Sequence, residues 1–146
     1  MIIREESFEK ARKAIQKASE LGEEVVFTSN DDELNRKILE KEKIDALLIC
    51  QKGRKDRQKQ RDSGFNQVMA VLAKKNNVTI GICLDELKDA KNEEKRDIVA
   101  RIKQNVKLCS KKKLKMKFFS KDKYNLHDIK ALCLVLGMPT WMTKEL

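Results

Sequence analysis

The sequence predicts an α/β protein built on a parallel sheet. Apolar stripes at helical spacing alternate with short β-branched runs along the whole chain. The segment Ile44 to Cys50 carries consecutive apolar residues, which suits a parallel strand covered on both faces. Each run is followed by a helical stretch, and strands joined through helices run parallel with right-handed crossovers.

Ile2 and Ile3 form the stub of a first strand. Phe8, Ala11, Ile15, Ala18 and Leu21 recur at spacings of three and four, predicting a helix that Gly22 ends. Val25 to Phe27 is too short for a helix and predicts a buried strand. Asn30 with Glu33 reads as an N-cap and its capping-box partner, opening a helix that carries Leu34, Ile38 and Leu39. Ile44 to Cys50 is the next strand. Gln51 to Arg61 has no apolar side chain and predicts a loop. Ser63 caps the helix that follows, with Phe65, Val68, Met69 and Leu72 inward and Asn76 and Asn77 as its stop.

Val78 to Leu84 predicts a strand, with Asp85 and Glu86 solvated at its end. Asn92 opens a helix with Ile98, Ile102, Val106 and Cys109 on one face. Lys113 to Ser120 is a further strand. Asn125 to Leu136 is the last helix, with Leu126, Ile129, Leu132, Cys133 and Leu136 inward. Gly137 ends it and Pro139 prevents continuation. The 146 residues predict one domain, 1–146, too short for a complete eight-fold barrel of roughly 200 residues or more. Whether the sheet stays open or curls is not written in the periodicity.

The charge is concentrated. The chain has 33 basic and 23 acidic residues, a net charge of +10, which points to a polyanionic partner. Residues 52–61 hold Lys52, Arg54, Lys55, Arg57, Lys59 and Arg61 against Asp56 alone. Residues 103–123 hold nine lysines, Lys111, Lys112 and Lys113 among them, against Asp122. The rest of the chain is mildly acidic. Loops that follow strands gather at one edge of a parallel sheet and carry function, which places 52–61 at that edge. Phe119, Tyr124 and Trp141 are the candidate stacking platforms, but core or partner packing suits each better. Recognition by shape and phosphate contact follows, with little base reading.

No apolar run reaches the ~18–20 residues of a membrane span, and the N-terminus lacks a signal-peptide core, so a cytoplasmic location is expected. Cys50, Cys83, Cys109 and Cys133 form no C-x-x-C pair, and His127 is the one histidine. Four reduced thiols acting as small core residues, with no metal site, are expected. There is no phosphate-binding glycine loop and no nucleophile elbow, which speaks against an autonomous enzyme.

One ordered series goes beyond generic pattern. It runs Leu34-Asn35-Arg36-Lys37-Ile38-Leu39, Lys43-Ile44-Asp45-Ala46-Leu47-Leu48, Asp62-Ser63-Gly64-Phe65-Asn66-Gln67-Val68 and Asn77-Val78-Thr79-Ile80-Gly81. It continues through Arg101-Ile102, Asn105, Leu108-Cys109 and Asp128-Ile129-Lys130-Ala131-Leu132 to Val135-Leu136-Gly137-Met138. Over residues 7–138 this resembles the ribonuclease P protein component 3 family of archaea, homologous to the eukaryotic thirty-kilodalton-class subunit. The resemblance implies a reduced TIM-barrel-like fold, a partial or open barrel, because the first strand is a stub and the family's C-terminal extension is missing. It also implies a non-catalytic subunit that binds the ribonuclease P RNA and supports 5′-leader removal from precursor tRNA. The chemistry would lie with the RNA and its Mg²⁺, the protein would hold no cofactor, and protein component 2 would be a partner.

Within that frame the RNA-binding candidates are the six cations of 52–61, Asn66, and Lys111 to Lys113. Gly64 lets another backbone or a phosphate approach closely, and Asn66 satisfies a loop carbonyl or binds RNA. Trp141 and Met142 follow the stop at Pro139 and are the candidate anchors for a protein partner. A stand-alone basic RNA-binding α/β protein, ribosome-associated or similar, is the alternative. A degenerate TIM-like metal-dependent hydrolase would need several His and Asp ligands, and a single His speaks against it.

Overall fold

A computed structural model of the chain describes residues 1–56 and 58–144. Five strands form one sheet in the order of the chain: β1 (Ile2–Arg4), β2 (Val26–Thr28), β3 (Ala46–Ile49), β4 (Thr79–Cys83) and β5 (Met116–Phe119). Every neighbouring pair is parallel. Between and after them run α1 (Phe8–Glu20), α2 (Asp32–Lys41), α3 (Gln67–Lys75), α4 (Leu84–Asp89), α5 (Asn92–Lys112), α6 (Leu126–Leu136) and α7 (Thr140–Thr143).

Sequential order with one hand of crossover puts every helix on the same face of the sheet. The burial pattern agrees. Ile3, Phe27, Leu47, Ile49, Ile80, Ile82, Met116 and Phe118 join the helices in the main core. The residues of opposite parity, Val26, Ala46 and Leu48, form a small second cluster with Cys50, Cys83 and Phe119. Across this second face Lys117 on β5 pairs with Glu24 before β2 at 3.8 Å. The Phe119 ring lies across the same face, where a Cβ on Gly81 would come within 2.8 Å of it. Five parallel strands in sequential order, each followed by a helix, make an open segment of a TIM-barrel-like wall.

Several boundaries differ from expectation for local reasons. The N-cap of α2 is Asp31, whose carboxylate accepts from the amides of Glu33 and Leu34, so Asn30 is not the cap. The N-cap of α3 is Asn66, accepting from Met69 N, so Ser63 stays in the loop and Val68 faces solvent. Asp85 and Glu86 lie in the short α4, which the apolar pattern of the preceding strand concealed. Leu126, in the first turn of α6, is exposed. Gly137 ends α6, and Pro139 is the N-cap residue of α7, whose Met142 returns to the core. No described helix is long and apolar enough to cross a membrane.

Candidate nucleic-acid interface

Strands run up and helices run down, so loops after strands meet at one edge of the sheet. The basic loop between β3 and α3 lies there, held at four points. Its first amide, Gln51 N, donates to Glu86 Oε2 at 2.7 Å. Arg54 makes a two-armed ion pair with Asp32 at the start of α2, both arms 2.8 Å, while its Nε donates to the Cys50 carbonyl. Arg101 rises from α5, almost fully buried. It donates to Asp56 Oδ1 at 2.9 Å and to the carbonyls of Gln51 and Arg54. Ser63 Oγ donates to Asn105 Oδ1 at 2.6 Å, and Gln51 Nε2 donates to the Ser63 carbonyl.

This arrangement explains Gly64. Its φ of +73° favours glycine, and any Cβ would collide with the Arg54 guanidinium stacked on it. Arg101, Asn105, Ser63 and Gly64 form one polar keystone that fixes the loop. Asp56 and Asp85 bind at the same edge. The Arg101 hydrogen bond holds the Asp56 carboxyl below its usual range. Asp85 is likewise held low, by Ser120 Oγ and the amide of Lys121 after β5.

The sequence candidates separate on this geometry. Lys52, Lys55 and Lys59 project into solvent from the anchored loop. Arg54 is a strut with a side chain only 13% exposed, so it is not a phosphate donor in this arrangement. Arg61 is half-exposed and pairs with Asp56 and Asp97. Arg57 lies outside the described residues. Asn66 spends its side-chain oxygen on the α3 cap, and it borders a cleft of about 330 Å³ with Arg36, Arg61, Asp62 and Gln104.

Lys111, Lys112 and Lys113 sit at the opposite edge, because α5 runs back down before β5 begins. There they join Lys41, Lys74 and Lys75 in the last turns of α2 and α3, where cations complement the helix carbonyls. Lys113 is left-handed at φ +54° and its carbonyl accepts from Lys74 Nζ. The second basic zone therefore divides. Lys111 to Lys113 lie at the lower edge, while Lys121 and Lys123 follow β5 at the upper edge. Of the partner candidates, Trp141 is 41% exposed over a groove lined by Thr79, Met116 and Lys117. Met142 is buried and packs in the main core, which removes it as an exposed anchor. Leu134 and Val135 on α6 are exposed instead.

Cys109 and Cys133 are buried core thiols, and burial pushes Cys109 up to about 12. Cys50 and Cys83 are different. They lie half-exposed, side by side at the upper ends of β3 and β4. The hydrogen bond from Cys83 is the largest influence that lowers Cys50 to about 6, and it correspondingly raises Cys83.

No family model matches the chain. No curated protein matches it either. The fold defines the class, a singly wound parallel α/β wall of the TIM-barrel kind. Among solved structures it is similar to a chain of the cryo-EM structure of archaeal ribonuclease P with mature tRNA. The TM-score is 0.83 at 23% identity, over 98% of this chain. This chain spans about 62% of the length of that one. At that identity the likeness establishes the shared fold.

Proposed function

We propose that the chain is a non-catalytic protein subunit of ribonuclease P, binding its RNA and supporting 5′-leader removal from precursor tRNA. The observation that carries this is the fit of nearly the entire chain to a protein of an archaeal ribonuclease P complex. The anchored basic loop, with Lys52, Lys55 and Lys59 exposed, supports this reading as a surface suited to phosphates. The series of residues that first suggested the family includes Ser63, Gly64, Arg101 and Asn105, which hold that loop in place. In this reading the chemistry belongs to the RNA and its Mg²⁺, and the chain works in the cytoplasm. Protein component 2 docks near α6 and Trp141, where Leu134, Val135 and Trp141 are exposed.

Affinity purification of the tagged chain, followed by sequencing of the bound RNA, tests this. One structured RNA species that supports leader removal is expected. Enrichment of bulk ribosomal RNA alone would replace this reading with that of a stand-alone RNA-binding protein.

A further inference from the structure

Cys50 directly follows the strand β3 and Cys83 ends β4, and the register Ile49↔Ile82 makes them lateral neighbours on the second face of the sheet. Glu86 lies three residues beyond Cys83, one turn into α4. Sγ of Cys50, Sγ of Cys83 and a Glu86 carboxylate oxygen all lie within 4.8 Å of one another. Around a tetrahedral zinc with Zn–S of about 2.3 Å, two sulfurs stand about 3.8 Å apart, so closure needs only small side-chain rotations.

The surroundings fit thiolate ligands. Thr28 Oγ1 lies 3.7 Å and Arg4 Nη2 3.9 Å from Cys50 Sγ. Two thiolates, one carboxylate, one guanidinium and one divalent cation sum to zero charge. Glu86 Oε2 already accepts from Gln51 N, as outer partners of a ligating carboxylate do. Beside the cluster, a cavity of about 10 Å³ is lined by Gln51, Cys83, Glu86 and Asn105. Gln51 is 2% exposed and its Oε1 has no partner. Ile49, Ile82 and Ile102 also line it, and the space is of about one solvent-sized sphere with an unpaired amide oxygen at its wall.

We infer that Cys50, Cys83 and Glu86 form a site for a soft divalent metal ion, zinc above all, at the root of the basic loop. Each thiol gives up its proton to solvent as the metal–sulfur bond forms, with no change of oxidation state, and water takes the fourth position. The ion would clamp the upper ends of β3 and β4 where Gln51 begins the loop. The inference does not depend on the ribonuclease P reading.

The test is titration of the reduced full-length chain with Co²⁺ and Zn²⁺, against a chromophoric chelator. We expect one Zn²⁺ per chain and a sulfur-to-cobalt charge-transfer band. Both should vanish in Cys50→Ser and Cys83→Ser, weaken at least tenfold in Glu86→Gln, and persist in Cys133→Ala. A thermal upshift with Zn²⁺ should appear in wild type and not in Cys50→Ser. Binding that survives both serine substitutions would overturn the site, as would no binding by the wild type below 10 µM metal, about 7 kcal/mol of affinity. Formation of a Cys50–Cys83 disulfide under peroxide by a chain that takes up no metal would also overturn it, making the pair a redox couple instead.

Discussion

Arg101 reaches out of α5 to hold Asp56 and the carbonyls of Gln51 and Arg54 at once. Removing it leaves buried acceptors without partners, so Arg101→Met should cost about 2–3 kcal/mol of stability. It should also open residues 51–64 to proteolysis, read by chemical denaturation and limited digestion. The carboxylates carry a pH signature. The Asp56 and Asp85 carboxyls are both held below their ordinary value in the folded chain, Asp56 chiefly because Arg101 hydrogen-bonds it and Asp85 chiefly because Ser120 does. Their contribution is therefore fully present above that ordinary value and is lost as pH falls through the depressed values. Thermal melts from pH 6 to pH 2 should show that decline, and Asp56→Asn should flatten it. Little of this was legible beforehand. A buried arginine on an amphipathic stripe looks like any surface cation, and its partners lie some 45–50 positions away.

At the scale of elements, the strands and long helices were readable because their apolar spacing is local. α4 was not, since it starts directly after β4 and its six residues hold only two apolar side chains, Leu84 and Leu87, too few to show a helical stripe. The basic loop was placed at the correct edge from topology alone, but which cations face solvent was not accessible to sequence. Arg54 and Lys55 are neighbours with opposite fates. Substituting Lys52, Lys55 and Lys59 together by Gln should lower the log–log salt slope of RNA binding by about two units, near 0.7–0.9 per phosphate contact. The melting temperature should barely move. An unchanged slope would make the loop merely solvated. The same exchange at Lys111, Lys112 and Lys113 probes the lower edge separately. Near α6, Trp141→Ala should weaken association with protein component 2 by about 2 kcal/mol, as hot-spot truncations do. A fall in melting temperature with intact association would make Trp141 a core residue.

Over the whole molecule, alternation of strand and helix determined the parallel sheet, and the resemblance to a known family supplied its barrel-like character. The contacts across the second face join residues far apart in sequence, the Lys117–Glu24 pair and Phe119 over Gly81. No periodicity encodes such contacts. The Cys50–Cys83 neighbourhood likewise arises from register, with 33 positions between the two residues' numbers. Reconstitution tests the central claim most directly. Ribonuclease P RNA, precursor tRNA and Mg²⁺ would be combined with and without the chain and protein component 2, and the released 5′ leader measured. The account predicts that the chain alone leaves the substrate intact and that adding it to the RNA with its partner protein raises the rate of correct cleavage. Leader removal by the RNA-free chain, or no change in rate when it is added, would contradict it.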